Sequence, residues 1–473
     1  MMTTTTSLDR VRHPMTALRV LLGLGALALL PLQAGARTEG AATSRVDTAP
    51  RSAPCPKEVP AGTRCFTGAD GAGAFYWIAI PQQWQREQGV LVMHAHGGPE
   101  TGPPDLKRSE EDLKRWAITV KAGHAWAGST YRRGGYGVTM AAEDTERLRQ
   151  IFVQHFGQPR RTLLHGQSYG GGVAAKAAEL YAGAPGHPSP YDGVMLTSGV
   201  LGGGNSAYEF RLDLRVVYQA VCNNHPRPDE PQYPLWQGLP RDSKLTREQL
   251  AARVKECTGL GLPREQRTAE QNARMATILG AVKIPERSLQ GHLNWATWLF
   301  QDLVQARLGN RNPFGNTGVF YPGQANGQPL DAQVLRYAAD PQAQGALASD
   351  SRTTGRTRLP TLTLHAIDDP TAFVELEGVY RAQREAAGTA DQLVQNFSSE
   401  REHSYLSDTE YVALFDQLLG WIDQGAKPTP QSVARRCDEL KARFDTDGKN
   451  GCHLRPGWQP PSLEARVPSR LPH

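Results

Sequence analysis

Leu163-Leu164-His165-Gly166-Gln167-Ser168-Tyr169-Gly170-Gly171-Gly172 joins two predicted elements through a glycine-flanked serine. Thr162 to Leu164 is a short apolar run that predicts a buried strand, and the small residues from Gly170 to Tyr181 predict a helix. Between them stands G-x-S-x-G. A nucleophile on so tight a turn adopts a strained backbone, and only glycine at both flanking positions avoids clashes. The following helix aims its free N–H groups at the site, which favours a developing anion. The strand–turn–helix setting separates this motif from a glycine-rich turn with an incidental serine.

Outward from that turn, the same alternation recurs. Phe75 to Ile80 and Val90 to Met93 predict strands, with Trp126 to Tyr131 a third and Tyr191 to Val200 another. Glu143 to Phe156 has helical spacing through Leu148, Ile151, Phe152 and His155. Strand-then-helix order of this kind predicts an α/β fold with a mostly parallel central sheet flanked by helices. The pattern breaks over 203–358, which reads as helices and loops, including Arg247 to Cys257 and Leu289 to Leu308. It resumes with Thr361 to His365 (strand), Phe373 to Ala387 (helix), Leu393 to Phe397 (strand) and Thr409 to Asp423 (helix). The expected organisation is a loose leader (37–54) opening a first core part (37–202), a large helical cap insertion (203–358) and a second core part (359–426). A Pro-rich extension (427–473) follows, expected to be an extended strap.

A serine hydroxyl needs a base, and the base needs a carboxylate to hold it. Both are expected after Ser168, acid first. Leu362-Thr363-Leu364-His365-Ala366-Ile367-Asp368-Asp369-Pro370 ends a strand in an acidic turn, and Asp369 is preferred to Asp368 because four residues beyond His365 leave room for the turn. His403, in Ser399-Glu400-Arg401-Glu402-His403-Ser404, lies between the last strand and the last helix and is the expected base. The oxyanion donors are expected from His94-Ala95-His96-Gly97-Gly98-Pro99-Glu100, whose glycines let N–H groups face a carbonyl oxygen. The Gly98 and Tyr169 amides are the candidates. His94-x-His96 could also be read as a metal pair, but no carboxylate or cysteine stands at matching spacing, so no metal and no cofactor is expected.

These residues resemble the α/β-hydrolase superfamily. His96-Gly97-Gly98-Pro99 with Gly166-Gln167-Ser168-Tyr169-Gly170-Gly171 is most similar to its proline-iminopeptidase and tripeptidyl-aminopeptidase branch, over about 90–200 and 359–425. The resemblance implies a serine hydrolase forming an acyl-enzyme on a small ester or short peptide. Where that branch has Gly after H-G-G-P, this chain has Glu100, and its D-x-R-G-x-G stretch is here Ser129-Thr130-Tyr131-Arg132-Arg133-Gly134-Gly135. Carboxylic ester cleavage is therefore expected first. The alternatives are an aminopeptidase, with Glu209, Asp213 or Glu230 gripping an ammonium, and a non-catalytic binding protein on the same scaffold. Arg132, Arg133, Trp295 and Trp298 are the candidate substrate contacts.

The 473 residues carry 52 Lys+Arg against 47 Asp+Glu, a net +5 spread along the chain, which is no nucleic-acid-binding patch. Arg10, Arg12 and Arg19, the apolar run Val20 to Leu32 and Ala34-Gly35-Ala36 together read as a signal peptide over 1–36. That run is too short to span a bilayer, so an exported protein, periplasmic or secreted, without a stable membrane anchor is expected. The six cysteines form three local couples, predicting disulfides Cys55–Cys65, Cys222–Cys257 and Cys437–Cys452. Oligomeric state has no signal in the sequence.

Overall fold

Near-continuous apolar runs buried on both faces suit parallel strands covered by helices, and they build the centre of this protein. The computed structural model describes residues 48–184, 187–468 and 470. The signal-peptide reading of 1–36 lies outside the described residues. A nine-stranded sheet comprises β1 (Arg51–Ala53), β2 (Arg64–Ala69), β3 (Phe75–Ile80), β4 (Val90–Ala95), β5 (Ala125–Ser129), β6 (Arg161–Gln167), β7 (Gly193–Thr197), β8 (Thr361–Ala366) and β9 (Leu393–Ser398). Their spatial order is β1-β2-β3-β5-β4-β6-β7-β8-β9. From β5 to β9 neighbours run parallel; β1, β2 and β3 pair antiparallel, and β3 meets β5 antiparallel. This is the α/β-hydrolase fold.

The main helices are α1 (Leu106–Arg115), α2 (Val138–Phe156), α3 (Tyr169–Leu180), α4 (Phe210–Cys222), α5 (Arg247–Thr258), α6 (Ala269–Val282), α7 (Pro341–Ser351), α8 (Leu376–Ala386), α9 (Asp408–Gln424) and α10 (Pro430–Phe444). One sheet face packs on α2 and α3 through Leu148, Phe152, Val173 and Ala177. The other packs on α1, α9 and α10 through Leu113, Tyr411, Phe415 and Val433. Residues 198–360 join the neighbouring strands β7 and β8 and hold α4 to α7. Capping boxes at Thr246/Gln249 and Thr268/Gln271 start α5 and α6. Asp350 of α7 reaches back to the core, where its carboxylate accepts from the Val138 and Thr139 amides at 2.9 and 3.0 Å. A carboxylate at a helix start satisfies free N–H groups and complements the helix dipole.

Two expectations differ from the structure. The leader is not loose throughout, because Arg51–Ala53 pairs with β2 as an edge strand. The tail is not an extended strap, because Pro430–Phe444 is a helix. Thr429 caps it, Pro430 occupies its first turn, and Val433, Cys437 and Leu440 make one buried stripe. The disulfides join Cys55 to Cys65, Cys222 to Cys257 and Cys437 to Cys452.

The Cys222–Cys257 bridge closes a loop with a sequence separation of 35, for which loop-closure entropy gives a stabilisation of about 3–4 kcal/mol. Replacing both cysteines by serine is expected to lower the urea midpoint correspondingly. An unchanged midpoint would contradict this pairing.

Candidate active site

Ser168 sits between β6 and α3 with φ 56° and ψ −125°, a conformation that costs about 1–3 kcal/mol and persists only where surroundings enforce it. Its N–H donates to Thr197 O at 3.0 Å, and its carbonyl accepts from the Gly171 and Val200 amides, both at 2.9 Å. The flanking glycines are there for space. A Cβ on Gly166 would lie 2.0 Å from Gly170 O, and one on Gly170 would lie 1.9 Å from Ala95 O.

His403 follows β9 and reaches Ser168 from across the sheet edge. Its Nε2 lies 2.7 Å from Ser168 Oγ, and its Nδ1 lies 2.8 Å from Asp369 Oδ2. With Nδ1–H donated to the carboxylate, Nε2 is the acceptor for the serine hydroxyl. The loop is fixed by Ser404 N–H on Ser198 Oγ (3.2 Å) and by Arg115, whose Nη2 donates to Ser404 O and Leu406 O at 3.1 and 3.2 Å.

Asp369 rather than Asp368 faces His403. Asp369 is buried and its Oδ1 accepts from the Thr371 and Ala372 amides at 2.8 and 2.9 Å. Asp368 points to solvent and pairs with Arg401 at 3.1 Å. Burial alone would raise the Asp369 carboxyl, but His403 and His365 hold it well below the usual range. His365, which the sequence marks only as a strand end, stands behind the carboxylate. Its Nδ1 is 3.2 Å from Glu377 Oε1, its Nε2 is 3.0 Å from Ala372 O, and Asp369 Oδ2 is 3.5 Å away. Both ring nitrogens face acceptors, so both carry protons. Burial works against that charge, yet Asp369 and Glu377 raise the imidazole to about 10.

The Gly98 and Tyr169 amides have no acceptor among the described residues. Gly98 adopts φ 68°, a left-handed turn that favours glycine. The carbonyls around it are tied elsewhere. Gly97 O accepts from Arg108 at 2.8 Å and from His96 Nδ1 at 2.8 Å, while His96 O accepts from Tyr131 at 3.2 Å. His94 and His96, weighed as a metal pair, part company. His94 packs on His165, with 3.2 Å between their Nδ1 atoms, and His96 stacks on Tyr131. Burial pushes both imidazoles far down, His96 to about 3.

Ser168, His403, Gly98 and Tyr169 line a cavity of about 250 Å³, with Tyr208, Arg211, Trp295, Phe373 and Tyr405 among its walls. Trp295 opens a π-helical turn, Trp295–Leu299, of the kind that often marks a functional site. Trp298 instead takes Arg247 against its ring at 4.7 Å and does not line the cavity. Arg132 is drawn to Glu143 and Asp144 on α2, and Arg133 donates to Ala306 O at 3.2 Å; neither lines the cavity. Arg211, Tyr208, Phe373 and Tyr405 escaped the sequence reading, since their approach to Ser168 comes from packing between distant segments.

No family model and no curated protein sequence matches the chain. Candida antarctica lipase A is 12% identical with a TM-score of 0.41, covering 86% of this chain and 92% of that one. A thermostable esterase from Pseudomonas putida ECU1011 is 15% identical with a TM-score of 0.36, covering 85% and 84%. A puromycin hydrolase is 13% identical with a TM-score of 0.34, covering 79% of this chain and 40% of that one. Neither the fold nor the chemistry rests on likenesses this distant.

The His365–Glu377 pair has a pH signature. Because the folded imidazole is raised from 6.5 to about 10, its stabilisation is full below 6.5 and is lost as pH rises towards 10. Glu377→Gln is expected to flatten the fall in urea midpoint between about pH 6 and pH 9. A slope identical to that of the unaltered protein would contradict a charged His365.

Proposed function

We propose that the chain is an exported serine hydrolase that cleaves a carboxylic ester. The observation that carries this is the continuous hydrogen-bonded series Ser168 Oγ–His403–Asp369 opening into the cavity, at 2.7 and 2.8 Å. In this reading His403 Nε2 takes the serine proton as Oγ attacks the carbonyl carbon. Asp369 holds the imidazole tautomer and stabilises the imidazolium. The oxygen of the tetrahedral intermediate is received by the Gly98 and Tyr169 N–H groups, each such donor supplying about 3 kcal/mol of transition-state stabilisation. His403 then protonates the leaving alcohol. Water, deprotonated by the same nitrogen, releases the acid and regenerates Ser168. Residues 203–358 act as a cap that shapes the cavity from above.

Ester cleavage stands ahead of aminopeptidase action for an electrostatic reason. A free ammonium needs a carboxylate in the pocket, and among the described residues no Asp or Glu is a cavity wall. Glu209 and Asp213 are taken up by Arg470 at 3.2 and 2.6 Å, and Glu230 by Arg253 at 2.7 Å. A volume of about 250 Å³ also lies below the roughly 300–1,000 Å³ of sites for drug-sized ligands, which favours a small ester.

Short-chain 4-nitrophenyl esters are expected to be hydrolysed in preference to aminoacyl 4-nitroanilides with a free N-terminus. Ser168→Ala should lower kcat on the esters by at least about 10⁴-fold. Preference for the anilides would reverse the order of the two readings, and ester turnover indifferent to Ser168→Ala would favour a binding protein instead.

A further inference from the structure

Arg211, in the first turn of α4, is a wall of the Ser168 cavity and is only 2% exposed. A guanidinium carries five N–H donors in a planar fork, and it remains charged in proteins. Here Nη1 donates to Ala207 O at 3.0 Å, Nε is buried without an acceptor, and Nη2 has no acceptor among the described residues. No carboxylate among those residues lies within ion-pair distance. Arg108, the other arginine of the cavity, is by contrast paired with Asp112 at 3.5 Å and Glu100 at 3.6 Å.

What surrounds the Arg211 charge is a sleeve of rings, Phe210 and Trp295 each at 4.6 Å and Tyr208 at 5.0 Å. Ring faces attract a cation but accept no in-plane hydrogen bond from the fork, so the charge is held in place and left without a counter-ion. Burial lowers this arginine to about 9, which leaves it cationic at neutral pH. A buried charge without a partner is costly in a folded chain. An anion arriving with the substrate removes that cost.

We propose that Arg211 is the carboxylate-binding subsite of this hydrolase and that its substrates are half-esters of dicarboxylic acids. The scissile carbonyl sits at Ser168 and an apolar spacer lies among Val200, Leu376, Trp295 and Phe373. The far carboxylate meets the Arg211 fork. The inference rests on the hydrolase reading and adds its substrate class. The same charge would disfavour a free-amine substrate, whose ammonium would face a cation and, among the described cavity walls, no acid.

The test compares kcat/KM for 4-nitrophenyl hydrogen adipate with that for 4-nitrophenyl hexanoate, which replaces the carboxylate by a methyl group. The unaltered protein is expected to prefer the adipate at least about tenfold, and Arg211→Met to collapse that ratio, chiefly through KM. Arg211→Lys should restore part of it. A ratio near one in the unaltered protein, or an Arg211→Met that lowers both substrates together, would overturn the subsite and leave the hydrolase reading standing. A readout independent of turnover is calorimetric binding of monomethyl adipate and dimethyl adipate to the Ser168→Ala protein. Tighter binding of the half-ester by at least about tenfold is expected, and equal binding overturns the subsite. Half-ester binding in a protein that hydrolyses neither nitrophenyl ester would overturn the hydrolase reading alone.

Discussion

The constraint on which the rest depends is the backbone of Ser168. A non-glycine residue at positive φ is held there by three hydrogen bonds to its own peptide groups and by two glycines that let neighbouring chain approach. That turn fixes where Oγ emerges, at the carboxyl edge of a parallel sheet. It also sets where α3 begins, and with it the Tyr169 N–H, which has no acceptor among the described residues. Every other part of the site is a partner brought to that point. The loop after β4 supplies Gly98, the turn after β8 supplies Asp369, and the loop after β9 supplies His403.

Charge is managed in the same directed way. Behind His403 lies a buried series, Asp369, His365 and Glu377, in which each group faces an opposite charge and the remaining lone pairs meet Thr371, Ala372, Thr363 and Gln395. Such a network is favourable only when fully satisfied. The cavity itself is the exception, for there one cation, Arg211, has rings and, among the described residues, no acid around it. In the proposed mechanism, the compensated charge behind His403 holds the imidazole still, and the uncompensated charge of Arg211 selects what enters.

How far the sequence could be read follows from which physics was local. G-x-S-x-G between a strand and a helix announces its own geometry, because the clash that demands Gly166 and Gly170 is a short-range one. The strand ends before Asp369 and His403 were legible for the same reason. The preference for Asp369 over Asp368 rests in the sequence on spacing alone; in the structure Asp369 is buried and its Oδ1 accepts from the amides of Thr371 and Ala372, which meet it only once the turn has closed. Arg132 does not line the cavity, because its acids, Glu143 and Asp144, lie a loop away on α2. Arg211 was invisible, since Phe210-Arg211-Leu212 reads as any amphipathic helix start and its sleeve comes from Tyr208 and the distant Trp295. The tail helix is different in kind. Thr429-Pro430 is a legible helix start, outweighed by the proline content around it.

In the proposed mechanism one strained serine, Ser168, is activated by one imidazole, His403, oriented by one buried carboxylate, Asp369. The most direct measurement is the site and rate of phosphonylation by a fluorophosphonate, read by intact-protein and peptide mass spectrometry. A single adduct on Ser168 is expected, slowed by about 10⁴-fold in Asp369→Asn and little changed in the solvent-facing Asp368→Asn. Adducts on several serines, or equal slowing by the two substitutions, would contradict it.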